Sequence, residues 1–441
     1  MVLVRFAVVV FLVSMVACSG GDTAVDRAEN TEVQPSAETQ DLDTVVRGAV
    51  EALRAGDYER ALELSLQAED MLPNHPRLLF NTACTLALTG SHDAALDRLE
   101  RIADMQFAVD LESSPSMDPL RGDPRFGALA EAMAAVSQPL ERSDVAATIP
   151  DPTFLVEGVA LDPTSGDLLV SSLYQRRIAR VTPHGELVPF TEPNENLWSM
   201  LGMVVDADAE NLWSVTVASP RMADAAPDEP LRSALVRFSL ETGAELSRHP
   251  APEDLQGSAL DSLAVADDGT VYVSDSGAGA IHRLDPGAAD LEPMVLPGTF
   301  LSTQGLVVSA DGGTLYAADY GRGVAAVDTE TGEVTTMEFD GPCLLGIDGL
   351  ERHGDDLIAI QNGIEPPRVV RIELGADGRS IVAVEILEKA HHLYREPTLG
   401  TVVGDDLFYV AASQWRSFGE DGRLLVDQLV EPTILRLPLT D

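Results

Sequence analysis

Four side chains that carry oxygen atoms occupy one position of a pattern that repeats from residue 150 onward. This position directly precedes a short apolar run, and it holds Glu157, Asp261, Gln304 and Asp348. If the copies surround one axis, three carboxylates face each other, and like charges at close range disfavour joint ionisation. A hard divalent cation offsets that repulsion, so the pattern predicts a metal site with Ca²⁺ as the expected ion. The alternative is that these oxygens cap turns.

This position of the pattern begins a group of three short strands, and six such groups follow one another. Their middle strands begin at Leu168, Leu212, Val271, Leu315, Leu357 and Leu407. Strand groups that repeat every 40–50 residues or so are typical of a β-propeller, in which each group is one sheet. A strand over about residues 146–154 would complete the last sheet and remove exposed edges. The sequence therefore predicts an all-β six-bladed propeller over 145–441; the alternative, a β-sandwich, does not explain six matched groups.

The residues before the propeller have a helical pattern with a period of 34 residues. Residues 47–62 align with residues 81–96, which places Gly56 on Gly90 and Ala61 on Ala95. Paired amphipathic helices with this period are typical of tetratricopeptide repeats. We therefore predict an all-α tetratricopeptide-type repeat over 41–137, which makes the fold class mixed. This repeat is either a spacer or a surface for a protein partner.

The N-terminal residues have the pattern of an export signal. Arg5 precedes an apolar run that is too short to span a bilayer, and small residues lead to Cys18. This segment resembles the lipobox of bacterial lipoproteins, which implies a signal peptide over 1–17, lipidation of Cys18 and a polar tether over 18–40. The alternative is an ordinary signal peptide with a chance cysteine. The resemblance implies a lipid anchor on the periplasmic side of the cell envelope, in the outer membrane if there is one.

The charge of the chain excludes one class of partner. It has 29 Lys and Arg against 72 Asp and Glu, a formal net charge of −43. A field this negative repels phosphate backbones and anionic lipid headgroups. Nucleic acid is therefore excluded as a partner, and membrane contact is expected through the lipid anchor only.

The segment 154–169, which contains Glu157 before a glycine, resembles the opening of the senescence-marker-protein/gluconolactonase/luciferin-regenerating-enzyme family. The resemblance implies that Glu157 is a metal ligand. It also implies that Gln304 and Asp348, each before a glycine, are later ligands, and that Asp261 contacts substrate or a second cation. Val159 and Gln304 replace the Pro and Asn of the family motifs.

Two classes of function follow. The first is a metal-dependent hydrolase of lactones or esters, in which a cation polarises the carbonyl and Asp348 is the general base. No Gly-x-Ser-x-Gly motif accompanies these residues, which argues against a serine hydrolase. Loops expected around the same mouth supply candidate substrate-binding residues, namely Asn362, His391, His392 and Trp415. The second class is a non-catalytic scaffold that binds partners through the propeller and the helical repeat.

Overall fold

The computed structural model describes residues 37–440 apart from 183, 193, 195, 207–209, 227, 228, 253, 254, 256, 420 and 421. The predicted signal peptide, Cys18 and the first part of the predicted tether lie outside the described residues. The described residues fall into a sheet unit, Pro139–Glu338 with Leu344–Asp441, and a helical unit that ends at Gln138 and includes Phe339–Cys343. No described helix is long and apolar enough to cross a membrane.

The helical unit consists of successive short helices. They are α1 (Ala37–Ala55), α2 (Tyr58–Met71), α3 (Pro76–Leu88), α4 (His92–Asp104), a 3₁₀-helix (Pro115–Leu120) and α5 (Pro124–Val136). Helix α1 packs on α2 and α3 packs on α4. The turns within the pairs use Gly56 and Gly90 at φ of +75° and +86°, and Ala61 and Ala95 are fully buried. The predicted helical region is confirmed, and its tetratricopeptide type stays a prediction.

The sheet unit contains six four-stranded antiparallel sheets, so the predicted six-bladed propeller and the mixed fold class are confirmed. The first three sheets are β2 (Val156–Leu161), β3 (Leu168–Ser172), β4 (Ile178–Val181) and β5 (Leu187–Pro189); β6 (Ser199–Asp206), β7 (Asn211–Ala218), β8 (Arg232–Ser239) and β9 (Glu245–Pro250); and β10 (Leu260–Val265), β11 (Val271–Asp275), β12 (Ala280–Leu284) and β13 (Glu292–Val295). In each sheet the strands lie side by side in chain order.

The last three sheets follow the same plan, except that the sixth takes its outer strand from the start of the unit. They are β14 (Thr303–Val308), β15 (Thr314–Asp319), β16 (Gly323–Asp328) and β17 (Val334–Thr336); β18 (Ile347–His353), β19 (Asp356–Gln361), β20 (Arg368–Leu374) and β21 (Ile381–Lys389); and β22 (Gly400–Val403), β23 (Asp406–Val410), β24 (Thr433–Pro438) and β1 (Asp144–Thr148). Strand β1 pairs with β24, with Thr148 opposite Thr433. This pairing closes the ring, as the sequence predicts.

The inner strands β2, β6, β10, β14, β18 and β22 form a closed circle in which each contacts the next. Glycines permit this close approach. A Cβ atom added to one of them would lie 2.7–2.8 Å from a backbone oxygen of the next sheet: Gly158 from Leu201, Gly202 from Asp261, Gly305 from Asp348 and Gly349 from Thr398. Since real Cβ atoms do not come so close, the width of the ring depends on these glycines.

We expect Gly305→Ala to destabilise the propeller by about 2–3 kcal/mol, because its Cβ would lie 2.6 Å from the backbone nitrogen of Leu350. The matched control is Gly313→Ala in the following turn, where the nearest atom would be 3.5 Å away and we expect a change within about 1 kcal/mol. Urea unfolding of both variants measures the difference. Equal stability of the two variants would contradict the role of the close approach.

Candidate functional site

A backbone irregularity lies at each of the four predicted ligand positions. In five sheets the register between the inner strand and its neighbour shifts at the site position: between Val156 and Val159, Met200 and Met203, Leu260 and Leu263, Thr303 and Leu306, and Ile347 and Gly349. Such bulges bend a strand and change the direction of a side chain. Serines on the second strands bind the displaced backbone; the Ser171 hydroxyl, for example, accepts from the Gly158 N–H at 2.8 Å.

Two hydrogen-bond donors from the loop after β23 hold the side chain of Glu157. The indole Nε1–H of Trp415 donates to Oε2 of Glu157 at 2.7 Å, and the hydroxyl of Ser413 donates to the same oxygen. The Glu157 side chain is buried, with 3% exposure. Burial raises the pKa of Glu157 well above its ordinary value, and the nearby carboxylates of Asp348 and Asp261 raise it further.

Asp348 is held by a chain of hydrogen bonds on the neighbouring loops. The side-chain amide of Asn362 donates to Oδ2 of Asp348 at 2.5 Å, and the hydroxyl of Tyr320 donates to Oδ1 of Asn362 at 2.7 Å. The surrounding protein withdraws the Asp348 carboxyl from water and raises its pKa from 3.8 to about 7, although the Asn362 bond opposes this shift. Asp348 is therefore close to half-ionised at neutral pH.

Asp261 and Gln304 complete the set of predicted ligands, and both are buried. Burial raises the pKa of Asp261 well above its ordinary value, with further contributions from Asp348 and Asp275. The amide nitrogen of Gln304 donates to the hydroxyl of Ser302 at 2.9 Å, a bond that does not involve the amide oxygen. The structure thus brings Glu157, Asp261 and Asp348 into electrostatic contact from three different sheets. We call these three residues the carboxylate ring.

Two charged residues beside the carboxylate ring were not indicated by any pattern in the sequence. The carboxylate of Glu396 accepts from the backbone N–H and the side chain of Arg416, both at 2.9 Å, and its charge raises the pKa of Asp348. The guanidinium of Arg221 lies 5.2 Å from the ring centroid of Trp415 and 5.7 Å from that of Phe418. Both residues come from irregular loops, which the repeat pattern does not cover. Ser413 and Tyr320, by contrast, lie beside motifs that the sequence indicates.

The two adjacent histidines contact other groups. The ring of His392 hydrogen-bonds Glu141 at 3.0 Å, and the rings of His391 and His392 stack at a centroid distance of 4.7 Å. Tyr394 packs against His391 at 5.5 Å. In the described part of the chain, no hydrogen bond joins either histidine to the carboxylate ring. Asn362 and Trp415, the other two predicted substrate-binding residues, do contact it.

The carboxylate ring together with Gln304 has the composition that a hard divalent cation prefers, because all four side chains offer oxygen and three of them are carboxyl groups. Its spacing is wider than that of a closed site. Among the described residues, the one group of three ligand atoms within 4.8 Å of one another is Glu141, His391 and His392. The bonds from Trp415 and Asn362 each occupy one carboxylate oxygen, of Glu157 and of Asp348 respectively. The ring therefore fits a cation in chemistry, and its carboxylate oxygens would have to come closer together to bind one jointly.

A narrow cavity of about 20 Å³ lies between the inner strands, large enough for about one water molecule. Inner-strand residues of all six sheets line it, including Gly158, Gly202 and Gly349. Glu351 is a carboxylate in this lining, and burial raises its pKa to about 8. The cavity is thus lined by a further carboxylate that the repeat pattern did not indicate.

The sheets and their polar inner ends define a six-bladed β-propeller with a carboxylate-lined mouth. No protein-family model matches the chain, and no curated protein matches it in sequence. Similar solved structures include a calcium-binding protein, regucalcin, from Agrobacterium tumefaciens, with 17% identity, a TM-score of 0.46 and coverage of 66% of this chain and 93% of that one. A gluconolactonase from Xanthomonas campestris has 18% identity, a TM-score of 0.45 and coverage of 68% and 96%.

A third similar structure is virginiamycin B lyase from Staphylococcus aureus, with 14% identity, a TM-score of 0.45 and coverage of 69% of this chain and 99% of that one. The gluconolactonase is among the proteins that the sequence resemblance names. At these identities the likeness concerns the fold alone, and the six sheets define that fold by themselves.

The pKa of Asp348 predicts a pH-dependent stability in the absence of divalent cations. The pKa of Asp348 is about 7 in the folded protein and 3.8 in the unfolded chain. Between about pH 4 and 7 the folded state therefore binds more protons than the unfolded state. The free energy of unfolding consequently falls as the pH rises through that window. Asp348→Asn should therefore be more stable than the parent above pH 7, by about 1–3 kcal/mol, and equal to it below pH 4.

Chemical unfolding in EDTA at several pH values measures this effect. The matched control is Asp290→Asn, which changes an exposed carboxylate outside the ring and should leave the pH profile unaltered. If the stability of the parent relative to Asp348→Asn rises between pH 4 and 7, the raised pKa of Asp348 is contradicted.

Proposed function

We propose that this protein is a divalent-cation-dependent hydrolase of lactones or esters, with its active site at the carboxylate ring and Gln304. The observation that supports this most is the convergence of Glu157, Asp261 and Asp348 from three sheets, where the charge of Asp348 raises the pKa of both Glu157 and Asp261. Such an arrangement destabilises the fold unless a cation or a proton neutralises it. Strongly perturbed carboxyl groups in a polar mouth are typical of functional sites.

Asp348 is the proposed general base. A base is most effective when its pKa lies near the working pH, and the pKa of Asp348 is about 7. Asn362, which Tyr320 orients in turn, holds the carboxylate in one position. Asp348 removes a proton from the attacking water as the water oxygen bonds to the carbonyl carbon. The carbon–oxygen bond of the leaving group then breaks, and the proton passes to the leaving oxygen.

The remaining residues bind and orient the substrate. When bound, a divalent cation polarises the substrate carbonyl and lowers the pKa of water. Glu157, Asp261 and Gln304 would hold it, with Ca²⁺ as the expected ion. Trp415, together with Phe418 and Tyr174, offers a partly buried apolar wall beside Glu157 for the carbon skeleton of the substrate. Arg221, stacked on this wall, attracts the carboxylate that hydrolysis produces.

Glu157→Gln and Asp348→Asn test the proposal. We expect each to lower kcat/KM for a responsive lactone or ester by at least ~10²-fold, because each removes a ligand or the base. Divalent-cation content and kcat/KM are measured on the full-length protein before and after EDTA treatment and Ca²⁺ addition. The controls are Glu292→Gln, exposed on β13, and Asp290→Asn, exposed in the loop before β13, which should retain full activity and cation content.

A protein that binds no divalent cation would refute the hydrolase. Activity that both ring substitutions leave unchanged would refute the site. A bound cation without hydrolysis of any lactone or ester would favour the non-catalytic scaffold, in which the propeller and the helical unit bind protein partners.

We also propose that a lipid on Cys18 anchors the protein on the periplasmic side of the bacterial envelope. The support is the small residues before Cys18 and the short apolar run, which lie outside the described residues. We expect Cys18→Ser to move most of the protein from the membrane fraction into the soluble fraction. Fractionation of cells that express the parent and the variant measures this, with Cys84→Ser as the control. Equal membrane content of parent and Cys18→Ser would contradict the anchor.

A further inference from the structure

A second group of metal-ligand side chains lies where the chain enters the propeller. Glu141, His391 and His392 each offer a ligand atom, and these atoms all lie within 4.8 Å of one another. Ring nitrogen Nδ1 of His392 is 3.0 Å and 3.1 Å from the two carboxylate oxygens of Glu141. Ligand atoms of a tetrahedral zinc ion, with bonds of about 2.0–2.2 Å, are roughly 3.3 Å apart. The group is therefore close to the spacing of a zinc site before any ion is bound.

The backbone holds Glu141 in place from both sides. Leu140 exchanges two backbone hydrogen bonds with Lys389, at 2.9 Å and 3.0 Å. The N–H groups of Arg142 and Ser143 donate to the buried carboxylate of Glu388, at 2.8 Å and 3.0 Å. Because its neighbours are anchored to the end of β21, Glu141 has little freedom to move away from the histidines that follow this strand.

A tight turn presents the two histidines together. The backbone N–H of Tyr394 donates to the carbonyl of His391 at 3.0 Å, and the two imidazole rings stack. The N–H of Leu393 donates to Nδ1 of His391 at 3.1 Å. A metal ion at Nδ1 of His391 would take the place of the Leu393 N–H. A metal ion at the other ring nitrogen would leave the ring proton on Nδ1, which then could not accept this bond. In either case the hydrogen bond is lost, which limits the affinity for metal. His392 and Glu141 are exposed, so an ion can reach them from solvent.

We propose that Glu141, His391 and His392 form a binding site for a late first-row divalent cation such as Zn²⁺, separate from the carboxylate ring. Two imidazoles and one carboxylate suit zinc, with water in the fourth position. Ca²⁺ takes six or more oxygen ligands and is not expected here. A bound ion would join the entering segment, residues 139–148, to the turn after β21. It would thereby reinforce the strand pairing that closes the propeller.

Calorimetric titration of ZnCl₂ into the full-length, EDTA-treated and dialysed protein tests this site. We use the Glu157→Gln background, which removes a proposed cation ligand of the mouth, and we expect one zinc site per chain. His392→Ala and Glu141→Gln should each weaken zinc binding at least tenfold, and the double variant His391→Ala/His392→Ala should remove it. The matched control is His353→Ala, which breaks a different His–carboxylate pair, with 2.9 Å between His353 and Asp405, and should change the affinity less than twofold.

A visible absorption band of Co²⁺ that disappears in the double variant would show that histidine nitrogen is a ligand. Saturating Zn²⁺ should raise the Tm of the parent by a few degrees and leave that of the double variant unchanged. Zinc affinity that is equal in parent and double variant, or absence of zinc binding altogether, would overturn the site. Neither result bears on the proposed hydrolase, since Ca²⁺ binding at the ring does not use these residues.

Discussion

The close approach of six inner strands around one axis is the constraint on which the rest of the propeller depends. Glycines such as Gly158 and Gly305 have no Cβ, which lets the backbone of four of the sheets approach a carbonyl oxygen of the next sheet closely. The hydroxyl of Thr398 donates to the carbonyl of Glu157 at 3.0 Å and links the last sheet to the first. The pairing of β1 with β24 then secures the circle at its outer edge.

The same constraint creates the chemistry of the mouth. Bulges at the inner strands of five sheets lie at the site position, which in three of them holds a carboxylate. Glu157 and Asp261 are buried near Asp348, so their negative charges repel one another in a place with little water. Packing that stabilises the ring therefore carries an electrostatic cost, which a proton or a divalent cation can offset.

The periodic features of the chain could be predicted because they recur in sequence at the interval at which they recur in space. Six sheets, the closing strand and the ring positions such as Glu157 and Asp348 follow from this period. The loop residues do not repeat. Hence the sequence indicated Trp415 and Asn362 near the mouth but not Arg221 or Glu396, and it grouped His391 and His392 with the mouth although they contact Glu141.

The sequence by itself determined the helical type of the first unit, the three inner strands of each sheet, the number of sheets and which residue of each sheet lies at the inner end. Alternation, turn glycines and repeat spacing are local properties, and they fix these features before the chain folds. Only the tertiary structure decided which partner each polar group meets. The Glu157–Trp415 bond joins residues far apart in the chain, and the Glu141–His392 contact does the same. Such pairs depend on how loops from different sheets pack, which no local pattern encodes.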